Sequence, residues 1–199
     1  MKASRGPKTP ILTALPAVTN ADDGLEINYL ADAANGIVWR LRYRAFQADG
    51  VTPNPSAYKW EFLGGPPLRS AVAAQSNGTA AEAAGWTNLG GGSVTVPLAG
   101  DYLDRHGAQL GVAGGALSQT AYIGAAIGDT TPPAQATALF AADAHTTTGG
   151  TAWASAATTY LWTGLAAGNV IKLRYLAAGT ATNSFWVNKW LELTPVRVG

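Results

Sequence analysis

The clearest signal in the chain is alternation. In Ile37–Arg44, Ile37, Trp39, Leu41 and Tyr43 fill one set of alternate positions, while Arg40, Arg42 and Arg44 fall in the other. A period of two places successive side chains on opposite faces and predicts a half-buried strand. Leu25–Ala31 behaves similarly, with Leu25, Ile27 and Tyr29 apolar. Asn35-Gly36, between the two runs, is a hairpin signal because both residues tolerate positive φ. A loop over Gln47–Ala57, punctuated by Pro53 and Pro55, leads to a third run. There Tyr58, Trp60 and Phe62 share one face, and Lys59 and Glu61 the other. Residues 17–67 are therefore predicted to form a short three-stranded β meander, closed by Gly64-Gly65-Pro66-Pro67. Three strands cannot cover so large an aromatic face. It must pack on the rest of the chain or on neighbouring chains. Trp39, Tyr43, Tyr58, Trp60 and Phe62 are thus candidates for internal or inter-subunit packing.

The pattern continues through residues 68–199 as short apolar runs separated by Gly-rich turns. Strands are expected at Arg69–Ala74, Ser93–Leu98, Asp101–Val112, Thr120–Ile127, Thr137–Ala141, Ala152–Trp162, Asn169–Leu176 and Phe185–Val198. Ile171, Leu173 and Tyr175 alternate with Lys172 and Arg174, echoing the first stripe. This spacing predicts an all-β, antiparallel sandwich or jelly roll, a knob-like head. Ala71–Ala84 is rich in alanine, but Asn77-Gly78 interrupts any helix there. Residues 1–16 read differently. Pro7, Pro10 and Pro16 disfavour helix and extend the backbone. This stretch is either a disordered terminus or an anchoring arm that orders against a larger assembly through Lys2, Arg5, Lys8 and Pro10.

Composition narrows the function classes. The 199 residues can bury a core, at roughly 70% of the unfolded surface. With no cysteine, neither a disulfide framework nor a Cys-ligated metal is available. Thirteen basic and twelve acidic residues give a formal net charge of +1, too balanced for a strongly basic nucleic-acid binder. No apolar run is long enough for a membrane helix. The basic start of the chain leads into no hydrophobic stretch of the kind a cleaved signal peptide carries.

Chemistry is sparse. There is no nucleophile elbow, phosphate-binding glycine loop or zinc-binding helix motif. No cofactor site is expected, and the chain is not read as an enzyme. Asp101, Asp104, Arg105 and His106 form the best enzyme-like cluster. On a strand, Asp104 and His106 share a face and Asp101 lies on the other. Two adjacent ligands do not make a metal site without a third, so a turn followed by a polar strand face is the simpler expectation. His145 is the other histidine. The arginine stripe lies opposite Trp39 and Tyr43, which argues against a base-stacking platform. Pairing with Glu26 or Glu61 on neighbouring strands is the expected use. Trp86 and Trp153, read as loop aromatics, are the candidates for stacking on a glycan.

Two segments resemble a known group. The run Asp32–Ala45 (DAANGIVWRLRYRA), followed by Tyr58–Leu68 (YKWEFLGGPPL), is similar to a segment recurring in tail-associated and fibre-like proteins of phages infecting actinobacteria. Val94–Gly107 and Trp190–Val198 resemble the β-rich heads of the same proteins. The resemblance covers residues 25–68 well and the remainder loosely. It implies a bacteriophage virion structural protein that forms a homotrimer, is assembled in the host cytoplasm and is displayed on the virion surface. Its partners would be further copies of itself, a tail or major capsid protein, and a host cell-surface glycan. The short arm lacks the repeats of a long fibre, which brings in a second reading as a capsid decoration protein, or minor capsid protein.

Overall fold

The computed structural model describes residues 10–77, 85–88, 90, 92–113, 117–144, 151–178 and 184–199. Its strands are β1 (Ile11–Leu12), β2 (Glu26–Asp32), β3 (Ile37–Tyr43), β4 (Trp60–Gly64), β5 (Leu68–Val72), β6 (Ser76–Asn77), β7 (Ser93–Thr95), β8 (Gly100–Ala113), β9 (Leu117–Ile127), β10 (Thr137–Ala144), β11 (Thr151–Leu165), β12 (Val170–Ala178) and β13 (Ser184–Val198). Among the described residues, helical turns are confined to two 3₁₀ segments, Asn20–Asp22 and Ala134–Ala136. The expected all-β sandwich is therefore the fold. Of the alanine-rich stretch, residues 71–77 contribute to β5 and β6, and residues 78–84 lie outside the described residues.

Two sheets form the sandwich. The larger runs β1-β2-β3-β4-β13-β8-β11, with β5 and β6 also paired to β13. The smaller runs β10-β9-β12-β7. All ladders are antiparallel except the short β1–β2 pair. β13 is the spine of the larger sheet. One of its edges takes β8, and the other takes β6, β5 and β4 in turn. The meander of residues 17–67 is consequently joined through β4 to the strands of residues 68–199, and both share one hydrophobic core.

The alternation seen in the sequence sorts side chains as expected. Trp39, Leu41 and Tyr43 are buried, whereas Arg40 is exposed and Arg42 half-buried. Across the sandwich, Ile171, Leu173 and Tyr175 of β12 face inward. Tyr175 meets Trp186 of β13 at 4.9 Å between ring centroids, a direct contact between the sheets. The β2–β3 turn differs from the expected two-residue hairpin. Only Gly36 adopts positive φ, at 64°. The Asp32 carboxylate instead organises a longer turn, accepting from the backbone N–H of Ala34 (2.9 Å) and Asn35 (3.2 Å) and from Asn35 Nδ2 (2.7 Å). An Asx-type carboxylate satisfies the loop donors, so Asn35 need not enter the left-handed region.

β13 also carries an irregularity with consequences for the core. Its register with β8 shifts between Val187 and Trp190, and Asn188 takes a φ of 49°. The bulge turns Lys189 inward, where it is buried and its Nζ donates to Ser76 Oγ at 2.5 Å. Burial pushes the Lys189 ammonium below the usual lysine range.

Candidate binding surfaces

The arginine stripe is part of a charge ladder across five strands. Successive register partners are Glu26 on β2, Arg42 on β3, Glu61 on β4, Arg197 on β13 and Asp101 on β8. The signs alternate along that row. Direct contacts occur at its centre and margin. Arg42 donates to Glu61 Oε2 through Nη2 at 2.8 Å and Nε at 3.3 Å, and Arg44 Nε donates to the same oxygen at 3.2 Å. Arg40 Nε lies 3.8 Å from Glu26. The two guanidinium groups hold the Glu61 carboxyl below its ordinary range, against partial desolvation. Pairing with Glu26 and Glu61 is thus how Arg40, Arg42 and Arg44 are used, as the strand pattern predicts. Cross-strand opposite charges of this kind favour one register over its neighbours.

The Asp104–His106 pair departs from expectation. The two residues do share a face of β8, but that face is the core. Both side chains are completely buried, so the cluster is not a polar strand face beside a turn. His106 Nδ1 lies 3.1 and 3.2 Å from the two Asp104 oxygens, and Trp162 Nε1 donates to Asp104 Oδ2 at 3.2 Å. Leu191 and Leu193 of β13 are their register partners on one side. Asp101, on the opposite face, accepts instead from the Gly164 backbone N–H at 3.0 Å. Among the described residues no third carboxylate, imidazole or thiol joins the pair as a possible metal ligand. The arrangement is a hydrogen-bonded polar island inside the sandwich, closed to substrate. His145 lies outside the described residues.

The two tryptophans proposed for glycan contact do not form one site. Trp86 lines an apolar groove with Tyr122, Pro132 and Leu176, on the outer face of the smaller sheet. Arg174, itself buried, fastens this edge by donating from Nη2 to the Trp86 carbonyl at 2.5 Å. Trp153 belongs to β11 and the larger sheet, is 55% exposed, and meets Phe185 edge-on at 5.1 Å. The two rings therefore belong to different surfaces.

No protein-family model matches the chain, and no curated protein matches it. Among solved structures, Eiger TNF from S. frugiperda aligns at TM-score 0.34 and 12% identity, covering 67% of this chain and 95% of that one. A chain of infectious bursal disease virus, Gx strain, aligns at TM-score 0.35 and 18% identity, covering 79% of this chain and 38% of its own length. Likenesses this distant carry no inference about function.

The aromatic stripe is satisfied largely within the chain. Trp39 is fully buried, and Tyr43 and Trp60 nearly so. Trp39 contacts Tyr29 at 6.3 Å, Phe62 at 6.1 Å and Tyr102 of β8 at 6.3 Å between centroids. Tyr43 and Trp60 lie 5.4 Å apart. Tyr58 and Phe62 are half-buried, and Tyr58 precedes β4 rather than belonging to it. At the N-terminal arm, Lys2, Arg5 and Lys8 lie outside the described residues, and Pro10 is exposed. The following residues are part of the fold. Ile11 and Leu12 pair with β2, and Leu12 and Leu15 pack against the core.

Proposed function

We propose that the chain is a structural and attachment module of a bacteriophage particle, acting by surface contact rather than by bond-making. One observation supports this most directly. The only clustered acid–base pair of the described residues is sealed in the core, while cationic and aromatic groups occupy the outer faces. The resemblance of residues 32–45 and 58–68 to phage tail-associated proteins supplies the particle. In this reading the protein is a homotrimeric, tail-associated or fibre-type surface component, anchored through its N-terminal arm (Lys2, Arg5, Lys8 and Pro10) and assembled in the host cytoplasm. Immunogold labelling of purified particles tests it. Label on the tail supports the reading, label on the head points to capsid decoration, and particles without label overturn both. Light scattering tests the trimer, which a monodisperse 20.4 kDa species at high concentration would contradict.

The exposure of Trp153 favours one further element, a host glycan as contact. Aromatic rings bearing a free face stack on sugar C–H surfaces. Glycan-array binding should fall with Trp153→Ala. Because Trp86 lines a groove against the smaller sheet, Trp86→Ala should affect a different set of glycans or none. Undiminished binding in both variants removes the tryptophans from the proposal.

A further inference from the structure

The loop between β3 and β4 roofs a depression of about 390 Å³ on the outer face of the larger sheet. Arg44, Lys59, Glu61 and Arg197 supply its charge, and Phe46 and Pro55 an apolar wall. Three cationic side chains against one carboxylate leave a local surplus of +2, more than the net +1 of the entire chain. The ladder does not absorb this surplus. Glu61 Oε2 is already shared between Arg42 and Arg44, and Arg44 reaches it only through Nε. Its two terminal nitrogens have no partner among the described residues. Arg197 is exposed, and no carboxylate of the described residues lies within ion-pair distance of it. Lys59 Nζ is held by a neutral acceptor, the Asn54 carbonyl.

The wall is also fixed in place. Asn54 donates from Nδ2 to the Arg44 carbonyl at 3.0 Å, accepts from Ser56 N–H at 3.0 Å, and gives its own N–H to Ala45 at 2.9 Å. Asp23 Oδ1 accepts from Ala45 N–H at 2.7 Å, and Gln47 N–H donates to Thr52 at 2.8 Å. A site whose backbone is already tied loses little freedom when it takes a ligand.

We infer that this depression is a binding site for an oxyanion, a phosphate or carboxylate group carried by a larger molecule. Arg44 and Arg197 supply the planar forks that match such groups bidentately, and Lys59 adds a point charge. Phe46 and Pro55 accommodate the apolar body of the carrier. Glu61 limits how tight binding can become, because its own carboxylate competes for Arg44.

Isotope-labelled full-length chain titrated at low ionic strength with inorganic phosphate, and separately with glucuronate, tests the assignment by NMR. Chemical-shift changes should centre on Arg44, Phe46, Lys59 and Arg197, with a Kd on the order of 1 mM or tighter. The anion giving the tighter Kd decides between a phosphate-bearing and a carboxylate-bearing carrier. Arg197→Gln should weaken binding about tenfold, the scale of one charge-assisted hydrogen bond, and added salt should weaken it further. Glu61→Gln should tighten it several-fold by removing the internal competitor. Should that variant lose the fold, Arg197→Gln on the exposed rim still decides. Shifts scattered over all basic residues, or equal affinity in wild type and Arg197→Gln, would overturn the assignment.

Discussion

Trp39→Ala asks whether the aromatic stripe is held inside one chain. Trp39 is fully buried, and its ring touches Tyr29, Phe62 and Tyr102, so it bridges β2, β4 and β8. A tryptophan buries up to about 250 Å². At about 25 cal/mol per Å² that is about 6 kcal/mol. Residual burial in the unfolded chain trims the figure by roughly 10–40%, and the retained Cβ trims it further. The expected loss is therefore about 3–5 kcal/mol, in line with large-to-small aromatic substitutions elsewhere. The Nε1 hydrogen bond to the Pro66 carbonyl, at 3.0 Å, adds little, since Pro66 is exposed and water replaces the donor. Trp39→Phe, which keeps a ring and loses that bond, should cost far less. Urea unfolding followed by circular dichroism measures both, and the alanine variant should melt roughly 6–20 °C lower. A loss below about 1 kcal/mol would mean that the stripe is not packed as described. A midpoint that rises with protein concentration in wild type but not in the variant would mean that it packs between subunits.

Other outcomes follow from single positions. Lys189 is a buried ammonium with a lowered proton affinity, so the unfolded chain binds more protons than the folded one between the lowered value and about 10.4. Stability should therefore rise with pH through that window, and Lys189→Met should remove the slope and stabilise the chain near neutral pH, measured by urea midpoints across pH. Glu61 has the opposite sign, because its carboxyl is held low by Arg42 and Arg44. Its contribution should be present above about 4.3 and vanish as pH falls through the depressed folded value. Glu61→Gln should flatten that acid limb and cost no more than about 1 kcal/mol, as for other partly exposed pairs. At Gly107 an added Cβ would lie 2.7 Å from the Ala156 carbonyl oxygen and 3.1 Å from the Trp190 ring. Gly107→Ala should destabilise by about 1–3 kcal/mol through overpacking, visible as a lowered Tm. Deletion through residue 16 should lower the Tm measured by differential scanning calorimetry, because it removes the core contacts of Leu12 and Leu15.

Period-two alternation made much of the fold legible. It identifies the inward faces of β3 and β12 directly, because an apolar residue at the wrong parity would be exposed along the whole strand. Alternation cannot show which strands become neighbours. Nothing in the meander reveals that β4 pairs with the last two residues of β13, so the ladder row from Glu26 to Asp101 is invisible before the topology is known. Polarity also misleads at Asp104 and His106. Polar residues read as solvent-facing, yet here one carboxylate accepts from an imidazole and an indole and satisfies itself in the core. Tyr160 and Trp162, two alternate positions of β11, gave no sign of this, since any aromatic at a strand position reads as packing. Lys189 was hidden for a different reason. Its inward orientation depends on a bulge, and a bulge reverses parity within a strand without leaving a pattern of its own.

The ladder and the core together explain why this register prevails. Sliding β3 by one residue against β2 and β4 would send Arg40 and Arg42 inward and expose Trp39, Leu41 and Tyr43. Apolar burial alone forbids that slip. It does not forbid a slip of two residues, which keeps every face intact. Charge adds a bias there. In the observed register Glu61 lies opposite Arg42, and its Oε2 accepts from both Arg42 and Arg44. A two-residue slip of β4 would place it opposite Arg40 or Arg44 instead and change that shared contact. Each surface pair contributes only about 0.2–1 kcal/mol, too little to hold the fold but enough, over the pairs of Arg40 with Glu26 and of Arg42 and Arg44 with Glu61, to bias registers that burial leaves equivalent. Replacing Glu26 and Glu61 together with glutamine should therefore lower stability modestly while broadening the amide spectrum of β2–β4, since what is lost is uniqueness of pairing more than total burial.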